Sequence, residues 1–293
     1  MRIAVTGASG FCGGAVARLA AASGADVVCL GRRPGPTGTH VRWDAAREKP
    51  HLAGADAVMH LAAAVGDPGP GRAAEEAFRA VNVAGTARLL DAAGDRPVVW
   101  VSSASVYRPG PYAAPVREDH PADGQRSAYG RTKAGGERLA LAAGAVVLRP
   151  RAVYGDGDRH LLPRLHRVVR GGRAWLPGPD VPLSLTAVEN LADACLAALG
   201  WPPGAYNVAD VEPYRRDAVV AAVLGVPVRH LPIALTRPLT TAARVAAALG
   251  GTPVLTRYAV DQLTDGMVLD TNRARDQCWL PQRTLADYLG RAA

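Results

Sequence analysis

Short apolar runs alternate with alanine-rich stretches of helical length along the first 150 residues of the chain. The apolar runs have the length of buried β-strands and lie at Arg2–Thr6, Asp26–Leu30, Ala57–His60, Val98–Val101 and Ala145–Leu148. Helices are predicted between several of these runs, at Phe11–Ala22, Ala73–Ala93 and Ala128–Ala143. Continuous apolar strands separated by helices are typical of a parallel sheet that is covered on both faces. The pattern therefore predicts an α/β fold with a doubly wound parallel sheet.

The second half of the chain is less regular. After about residue 155 the alternation weakens, and Pro- and Gly-rich turns occur at Trp175–Pro182 and Trp201–Gly204. Val181–Thr186 and Ala205–Val208 have the composition of strands, so we expect part of this half to return to the sheet. Leu235–Leu249 is an apolar-leaning helix that is too short and too charged to span a bilayer. A lid over a pocket or an interface helix is the better interpretation.

Composition places the chain among globular proteins, because 48% of its 293 residues are apolar and 20% are charged. The formal net charge is +8, but the arginines are scattered and not interleaved with aromatic residues. A solvated basic surface therefore fits better than a nucleic-acid interface, although this charge can steer an anionic cofactor or substrate towards the protein.

Targeting and metal-binding signals are missing from the sequence. The four cysteines have no paired spacing, and the seven histidines have no metal-ligand spacing, so we expect neither disulfides nor a metal. The N-terminus leads directly into a strand, and no apolar run has the length of a membrane span. We expect a soluble, cytoplasmic protein.

A glycine motif follows the first predicted strand. The sequence T-G-A-S-G-F-C-G places Gly7, Gly10 and Gly13 at the turn into a helix that begins at Phe11. Glycines allow the backbone to turn tightly and to approach a pyrophosphate, which the N–H groups of the helix N-terminus then bind. A plain tight turn would also use glycine, but the position between strand and helix favours a dinucleotide site of the Rossmann type.

The end of the second strand indicates which dinucleotide is bound. Sites that prefer NAD carry an acid there for the ribose hydroxyls. This chain has Gly31 at that place, followed by Arg32 and Arg33. Guanidinium groups suit a 2′-phosphate, so NADP(H) is favoured over NAD. Two surface arginines in an arginine-rich chain are the alternative interpretation.

Tyr129 and Lys133 are the candidate catalytic pair. Lys133 is one of only two lysines in the chain, and it follows Tyr129 by four residues within a predicted helix. Residues at this spacing share a helix face, and an ammonium lowers the pKa of a neighbouring phenol towards the range of an acid–base catalyst. Chance produces such a spacing too easily for it to stand alone. Further support comes from the preceding strand, whose carboxyl end carries Ser102, Ser103 and Ser105.

These motifs together resemble the extended short-chain dehydrogenases/reductases. The resemblance rests on T-G-A-S-G-F-C-G, H-L-A-A, V-N-V-A-G-T, S-S-A-S-V-Y and Y-G-R-T-K in this order. It continues through L-R-P-R-A-V-Y-G, A-Y-N-V-A-D and D-T-N-R-A-R-D-Q-C-W-L-P, and so covers nearly the whole chain. The resemblance implies a Rossmann-type sheet with a smaller, interleaved C-terminal lobe that binds the substrate. It also makes a homodimer plausible, formed by the helices Ala73–Ala93 and Ala128–Ala143.

The resemblance implies roles for individual residues. Tyr129 would be the general acid/base, Lys133 its electrostatic and ribose partner, and Ser103 the hydroxyl that polarises the substrate. The residues that would line the cofactor are Gly7, Gly10, Phe11, Gly13, Arg32, Arg33, Asp44, Leu61, Ala62, Ala63, Asn82, Lys133 and Pro150. Among them, Asp44 would meet the adenine amine. A helix cap for Ser103 and a surface charge for Asp44 are the structural alternatives.

The division of the chain follows from the same resemblance. Residues 1–155 would form the dinucleotide-binding domain, to which 181–209 would return, and residues 156–180 and 210–293 would form the substrate lobe. Candidate substrate contacts are Ser105, Arg151, Tyr154 and His160, although helix-surface and packing roles explain the last three as well.

Two branches of the family differ after the sixth strand. Nucleotide-sugar epimerases and dehydratases usually carry an asparagine where this chain has Ala152, and alanine cannot donate that hydrogen bond. The surrounding R-P-R-A-V-Y-G-D-G-D and the later T-P-V-L-T-R-Y-A-V resemble the 3β-hydroxysteroid dehydrogenase-like branch instead. This branch predicts an NADP(H)-dependent reductase of apolar ketones such as steroids, β-keto acids or natural-product ketones. A nucleotide-sugar epimerase, dehydratase or 4-ketoreductase is the alternative, and a non-catalytic NADP-binding protein is a third.

Overall fold

A computed structural model of the chain describes residues 1–66, 71–158, 165–234 and 264–292. The strands within these ranges are β1 (Arg2–Thr6), β2 (Asp26–Gly31), β3 (Thr39–Arg42), β4 (Ala57–His60), β5 (Val98–Val101), β6 (Val146–Pro150), β7 (Val153–Tyr154), β8 (Val169–Arg170), β9 (Arg173–Pro177), β10 (Pro182–Leu183), β11 (Thr186–Ala187), β12 (Gly204–Val208), β13 (Tyr214–Arg215) and β14 (Val228–Leu231). The α-helices are α1 (Phe11–Ala22), α2 (Arg72–Arg79), α3 (Thr86–Ala93), α4 (Ala128–Ala142), α5 (Val188–Ala197), α6 (Arg216–Leu224), α7 (Asn272–Arg275) and α8 (Leu285–Ala292).

A parallel sheet forms the centre of the described residues, with its seven strands in the order β12-β6-β5-β4-β1-β2-β3. The chain order runs outwards in both directions from the neighbours β1 and β4. Thr6 at the end of β1 lies in register with Leu30 on one side and with His60 on the other. The carboxyl ends of these strands therefore meet at one edge, beside the point where the chain order reverses. Ligands bind at such a crevice in open α/β sheets.

Alternate residues of the strands build two separate cores, one on each face of the sheet. Ile3 and Val5 pack on one face with residues of α1 and α5, such as Val16 and Leu191. Ala4 faces the opposite side, where the core contains Leu30, Val58, Leu89 and Trp100. Burial of an aliphatic side chain of this size contributes about 1.5–3 kcal/mol, so these two layers of helices hold the sheet in place.

The five strand predictions for the first half are confirmed, three with the same bounds and two with ends that differ by one or two residues, while β3 was not predicted. The predicted helix Ala73–Ala93 is wrong in its detail. It consists of α2, a π-helical segment Ala80–Gly85 and α3 in direct succession. The π-helical segment contains Asn82, whose side chain bonds to the loop after β4, and such wider turns occur mostly at functional sites.

The prediction for Val181–Thr186 as one strand is also wrong. This stretch contains β10, which pairs with β13, and the start of β11, which pairs with β7, and both pairs lie outside the central sheet. Pro182 has no N–H to donate, which limits pairing at the start of the stretch. β12 does join the central sheet, in parallel with β6. The division into a cofactor domain and a substrate lobe stays a prediction.

A second, smaller sheet consists of β14, β9 and β8. The predicted helix Leu235–Leu249 and the motif at 252–260 lie outside the described residues. Among the helices that the structure describes, none combines the length and the apolar composition needed to cross a bilayer.

Candidate active site

The glycine motif forms a tight turn between β1 and α1. Gly7 has a φ of +70°, and a Cβ placed there would lie 2.8 Å from the amide nitrogen of Ala62. A Cβ on Gly13 would lie 2.3 Å from the carbonyl oxygen of Gly7, so neither position accepts a side chain. Within the described residues, α1 begins at Phe11 with neither a side-chain cap nor an acid in its first turn. Its N–H groups therefore face the crevice, as a pyrophosphate-binding turn requires.

Thr6 fixes the loop after β4 against this turn. Its buried hydroxyl accepts hydrogen bonds of 3.1 Å from the amides of both Leu61 and Ala62. Further along the loop, the Asn82 carboxamide accepts a bond from the amide of Ala64 at 2.8 Å and donates one to its carbonyl at 3.0 Å. The predicted cofactor residues Leu61, Ala62 and Ala63 thus belong to a loop that is held at both ends.

The other predicted cofactor residues lie at the same edge of the sheet, with differing surroundings. Gly31 ends β2, and Arg32 and Arg33 follow it with exposed side chains. Pro150 is buried at the carboxyl end of β6. Asp44 accepts a hydrogen bond from the Ala46 amide at 3.0 Å and therefore caps a local turn. The residues present fit a dinucleotide at the glycine turn, and the contact between Asp44 and adenine stays a prediction.

Tyr129 and Lys133 lie on one face of α4. Ser127 caps this helix by accepting a hydrogen bond from the Gly130 amide at 3.0 Å, so Tyr129 stands in the first turn and Lys133 one turn later. A Cβ on Gly130 would lie 2.6 Å from the carbonyl oxygen of Ser105. The absence of that Cβ lets the first turn of α4 pack directly on the serine segment after β5. The structure thus packs the helical turn that carries Tyr129 on the segment that carries the predicted serines.

Ser103 has the capping role that was the alternative to a catalytic one. Its hydroxyl accepts a hydrogen bond from the Ser105 amide at 3.2 Å and so caps the short 3₁₀ turn Ala104–Val106. The hydroxyl oxygens of Ser103 and Ser105 are 2.5 Å apart. The cap holds Ser103 at the carboxyl end of β5. A role for Ser103 in binding the substrate stays a prediction.

Lys133 is buried between α4 and β5. Its ammonium donates a 2.7 Å hydrogen bond to the Val101 carbonyl and lies 3.7 Å from the centroid of the Trp100 ring. Burial lowers the pKa of Lys133 from its ordinary value of 10.5 to about 7, while the Glu137 carboxylate acts in the opposite direction. Two of the three N–H groups remain for other partners, such as a ribose hydroxyl.

Glu137 and Arg149 form a buried ion pair one helical turn beyond Lys133, and sequence reasoning did not find it. Glu137 lies one turn after Lys133, and its carboxylate accepts bonds from Arg149 at 2.6 Å and from the Ser102 hydroxyl at 2.5 Å. Arg149 also donates to the Tyr107 hydroxyl at 2.9 Å. The pair ties α4 to β5 and β6. The four-residue spacing between Lys133 and Glu137 was a usable signal, but nothing local in the sequence indicated Arg149 as the partner.

His60 is a second buried polar group near Lys133, and sequence reasoning did not assign it a role. The Thr6 hydroxyl already accepts two amide bonds, so its own proton points to Nδ1 of His60, 2.7 Å away. Burial, with Lys133 adding to it, lowers the pKa of His60 from 6.5 to about 3. His60 is therefore a neutral imidazole that fixes the ends of β1 and β4.

A cleft opens beside the serine segment. Its lining includes Ser105, Tyr112, Arg126, Ser127, Arg151 and Met267. Two of the predicted substrate residues, Ser105 and Arg151, thus lie in one cleft next to the first turn of α4.

The structure places Tyr154 in a core, so its predicted substrate contact has no support here and stays a prediction, and His160 lies outside the described residues. The Tyr154 ring is buried among the aliphatic residues Leu183 and Leu185, and its hydroxyl donates a 2.7 Å bond to Asp210. Packing in this core holds Tyr154 away from the cleft.

Ala152, which stands where related epimerases carry asparagine, is exposed and has a φ of +44°. Asparagine and glycine adopt this backbone conformation more easily than alanine does.

Comparison with known proteins gives the family. The model of the NAD-dependent epimerase/dehydratase family matches residues 3–209. The chain belongs to this family. The family and the fold class predicted from the sequence are both confirmed.

Individual members of the family are similar over most of the chain. The 2-alkyl-3-oxoalkanoate reductase of Stenotrophomonas maltophilia is 30% identical over 99% of this chain and 98% of its own length. A probable dTDP-4,6-dihydroxy-2-methyloxan-3-one 4-ketoreductase of Streptomyces antibioticus is 35% identical over 71% of this chain and 70% of its own. A solved structure of a short-chain dehydrogenase/reductase superfamily protein from Agrobacterium tumefaciens, with bound NAD, has a TM-score of 0.77 at 25% identity and covers 100% of this chain and 96% of its own.

Proposed function

We propose that the protein is an NADP(H)-dependent oxidoreductase that interconverts a ketone and a secondary alcohol on a largely apolar substrate. The observation that carries the proposal is the packing of the Tyr129 turn of α4 on the segment that holds Ser103 and Ser105, at the same edge of the sheet as the glycine turn. The similarity to two relatives named as reductases supports the same chemistry.

Tyr129, Ser103 and Lys133 have separate roles in the proposed reduction of the ketone. A reduced nicotinamide cofactor, held at the turn that contains Gly7 and Gly13, would supply the hydride that the carbonyl carbon accepts. Tyr129 gives its phenolic proton to the carbonyl oxygen, so that the C=O group becomes a CH–OH group, and solvent then restores the proton of Tyr129. The Ser103 hydroxyl donates a hydrogen bond to the same oxygen, and the Lys133 ammonium stabilises the phenolate that remains.

The preference for NADP(H) rests on the end of β2. Gly31 leaves no carboxylate for the ribose hydroxyls, and the exposed Arg32 and Arg33 suit a 2′-phosphate. We expect Arg33→Ala and Arg32→Ala each to raise the KM for NADPH by about tenfold or more and to change the KM for NADH little. An equal rise for both cofactors would remove the preference from the proposal.

We propose further that the protein is a cytoplasmic homodimer. The four cysteines are all free thiols, as a reducing compartment requires. The helices α2, α3 and α4 lie side by side, joined at their exposed edge by the 2.7 Å ion pair between Arg131 and Glu75, and offer a surface for a second copy. Sedimentation equilibrium of the purified chain tests this part.

The experiment that tests the function is a comparison of NADPH oxidation by the wild type and by Tyr129→Phe. The panel contains a steroid ketone, a β-keto acid, a flavanone-type ketone and a dTDP-4-keto sugar. Tyr288→Phe is the matched control, because Tyr288 is a partly buried tyrosine of α8 that packs on Tyr154 and does not line the cleft beside the serine segment. We expect reduction of an apolar ketone that falls by about 10²–10⁴-fold in Tyr129→Phe and stays unchanged in Tyr288→Phe.

A nucleotide-sugar reaction is the second candidate, favoured by the similarity to the dTDP-sugar 4-ketoreductase. Ala152 argues against it, since its side chain cannot donate a hydrogen bond. Reduction of the dTDP-4-keto sugar alone, or isomerisation of a nucleotide sugar without net use of NADPH, would favour this candidate. If no substrate reacts and Tyr129→Phe binds NADPH as the wild type does, a non-catalytic role becomes the better account.

A further inference from the structure

Glu137 lies on α4 one turn after Lys133, and both side chains bond to the end of β5. The Lys133 ammonium donates its 2.7 Å hydrogen bond to the Val101 carbonyl, and the Glu137 carboxylate accepts a 2.5 Å bond from the hydroxyl of the next residue, Ser102. Both charged side chains are buried, with exposed fractions of 3% and 2%. Two residues one helical turn apart are thus fastened to two consecutive residues of the sheet, which fixes the place of the lysine.

The Glu137 carboxylate is itself held by more than its bond to Ser102. Arg149 of β6 binds both of its oxygens, at 2.6 Å and 3.2 Å, so that the guanidinium and the carboxylate form a two-pronged pair. The same guanidinium donates to the Tyr107 hydroxyl and to the Glu118 carbonyl, both at 2.9 Å. Hydrogen bonds of this kind favour the charged form of a carboxylate.

The buried Lys133 ammonium needs a compensating charge. Removal from water disfavours the ammonium form, and this effect of burial lowers the pKa of Lys133 to about 7, while the Glu137 carboxylate opposes it. The Val101 carbonyl and the Trp100 ring also contact the ammonium, but they carry no net charge. Without the carboxylate, a larger share of Lys133 would therefore be uncharged at neutral pH.

The other groups around Lys133 do not replace this carboxylate. Charged and titratable groups lie on several elements around it, namely Tyr129 and Glu137 on α4, His60 on β4, Arg149 on β6 and, on the exposed side of α4, Glu75 of α2 with its partner Arg131. His60 is a neutral imidazole, and Arg149 is a cation that is engaged with Glu137. Within the described ranges, Glu137 is the acidic group that acts on the lysine.

We propose that Glu137 is a positioning residue for the reduction: held by Arg149 and Ser102, it keeps Lys133 in its ammonium form and at a fixed place one helical turn from Tyr129. This rests on the proposed ketone–alcohol chemistry, in which the ammonium stabilises the phenolate of Tyr129. It also gives Ser102 a role that differs from the one proposed for its neighbour Ser103.

The first test is the pH dependence of ketone reduction. Tyr129 and Lys133 titrate as a coupled pair, so the rate should fall as the pH rises through an apparent pKa that belongs to the pair. Loss of the carboxylate makes deprotonation of the pair easier and should move this falling limb to lower pH by about one unit. Initial rates of NADPH oxidation, with the ketone of the panel that the wild type reduces, are measured from pH 5 to pH 10.

The main variant is Glu137→Leu/Arg149→Met, because it removes the carboxylate without leaving the guanidinium as an unpaired buried charge. Ser102→Ala keeps the carboxylate and removes one of its donors, so it should lower kcat by about threefold and leave the falling limb in place. Glu189→Gln is the matched control. It neutralises an exposed carboxylate of α5 that is likewise paired with an arginine, Arg291 at 2.9 Å, and it should change neither the rate nor the limb.

The second test locates the titration of Lys133 without catalysis. The free energy of unfolding in urea is compared between each protein and its Lys133→Met counterpart over the same pH range. In the wild type this difference should begin to rise near pH 7, because the unfolded chain then binds a proton that the folded protein has lost. In the Glu137→Leu/Arg149→Met background the rise should begin about one pH unit lower.

The outcomes separate the inference from the proposed function. If neither the onset of the rise nor the falling limb moves, the inference is wrong and the ketone–alcohol chemistry stands. A shifted onset with an unshifted limb also overturns it, because Glu137 would then act on the lysine and not on the reaction. It fails as well if Ser102→Ala moves the limb as far as the double variant does. If the wild type reduces no ketone, the proposed function has failed, and the unfolding data alone decide whether Glu137 maintains the charge of Lys133.

Discussion

The Lys133 ammonium lies 3.7 Å from the centroid of the Trp100 ring and donates its 2.7 Å hydrogen bond to the next residue of β5, Val101. The lysine of the Tyr-x-x-x-Lys motif is thus sequestered between helix and sheet. Burial disfavours the ammonium form of an amine at this place, so Lys133 in its charged state lowers the stability of the fold.

This arrangement predicts how stability depends on pH. The pKa of Lys133 falls from 10.5 in the unfolded chain to about 7 in the folded protein, so the unfolded chain binds more protons between these two values. The free energy of unfolding of the wild type should therefore rise with pH from about 7 to about 10, relative to Lys133→Met. The slope of this difference is at most about 1.4 kcal/mol per pH unit. Urea unfolding of both proteins from pH 6 to pH 10 measures it, and a difference that falls or stays constant would contradict the account.

The buried pair of Glu137 and Arg149 predicts a large cost for single substitutions. Glu137→Gln removes the partner of a guanidinium whose side chain is 4% exposed, and we expect a loss of about 3–5 kcal/mol. The double variant Glu137→Leu/Arg149→Met should lose less than either single change, because it leaves no uncompensated charge. Glu75→Gln, which breaks the exposed pair with Arg131, is the control and should cost about 0–1 kcal/mol. Losses of equal size in Glu137→Gln and Glu75→Gln would show that the buried network is unimportant.

The close packing of α4 on the π-helical segment predicts opposite effects for two helical glycines. A Cβ on Gly136 would lie 2.1 Å from the Asn82 carbonyl oxygen, so Gly136→Ala should destabilise by about 1–3 kcal/mol or more. Gly290 in α8 has open space around it, and Gly290→Ala should stabilise by about 0.5–1 kcal/mol. Thermal unfolding of the two variants checks the signs. A stable Gly136→Ala variant would mean that α4 and Asn82 are not in contact.

Local patterns sufficed to predict five strands of the first half, but they missed β3 and the π-helical segment between α2 and α3. A strand such as β5 is apolar throughout because it is buried on both faces. Gly7 and Gly13 are required in the turn after β1 because a Cβ there would lie less than 3 Å from backbone atoms. These are properties of single segments, and they can be recognised without knowing which segments meet.

Features that depend on distant residues could not be predicted in the same way. Arg149 meets Glu137 only because β6 and α4 pack side by side, and Tyr154 reaches Asp210 only because β7 enters a core formed by later elements. The cleft combines Ser105, Arg126, Arg151 and Met267 from widely separated parts of the chain. The sequence indicated Arg151 and Tyr154 equally as substrate contacts. In the structure Arg151 lines the cleft, whereas Tyr154 is buried in a core.

The central claim is hydride transfer to a ketone at a site that contains Tyr129. NADPH deuterated at C4 of the nicotinamide, in both epimers, tests it most directly with the ketone of the panel that the wild type reduces. The account predicts that one epimer delivers its deuterium to the carbinol carbon of the product, with one NADPH oxidised for each ketone reduced. Tyr129→Phe should slow this transfer by about 10²–10⁴-fold. Conversion of a substrate without deuterium in the product and without loss of NADPH would contradict it.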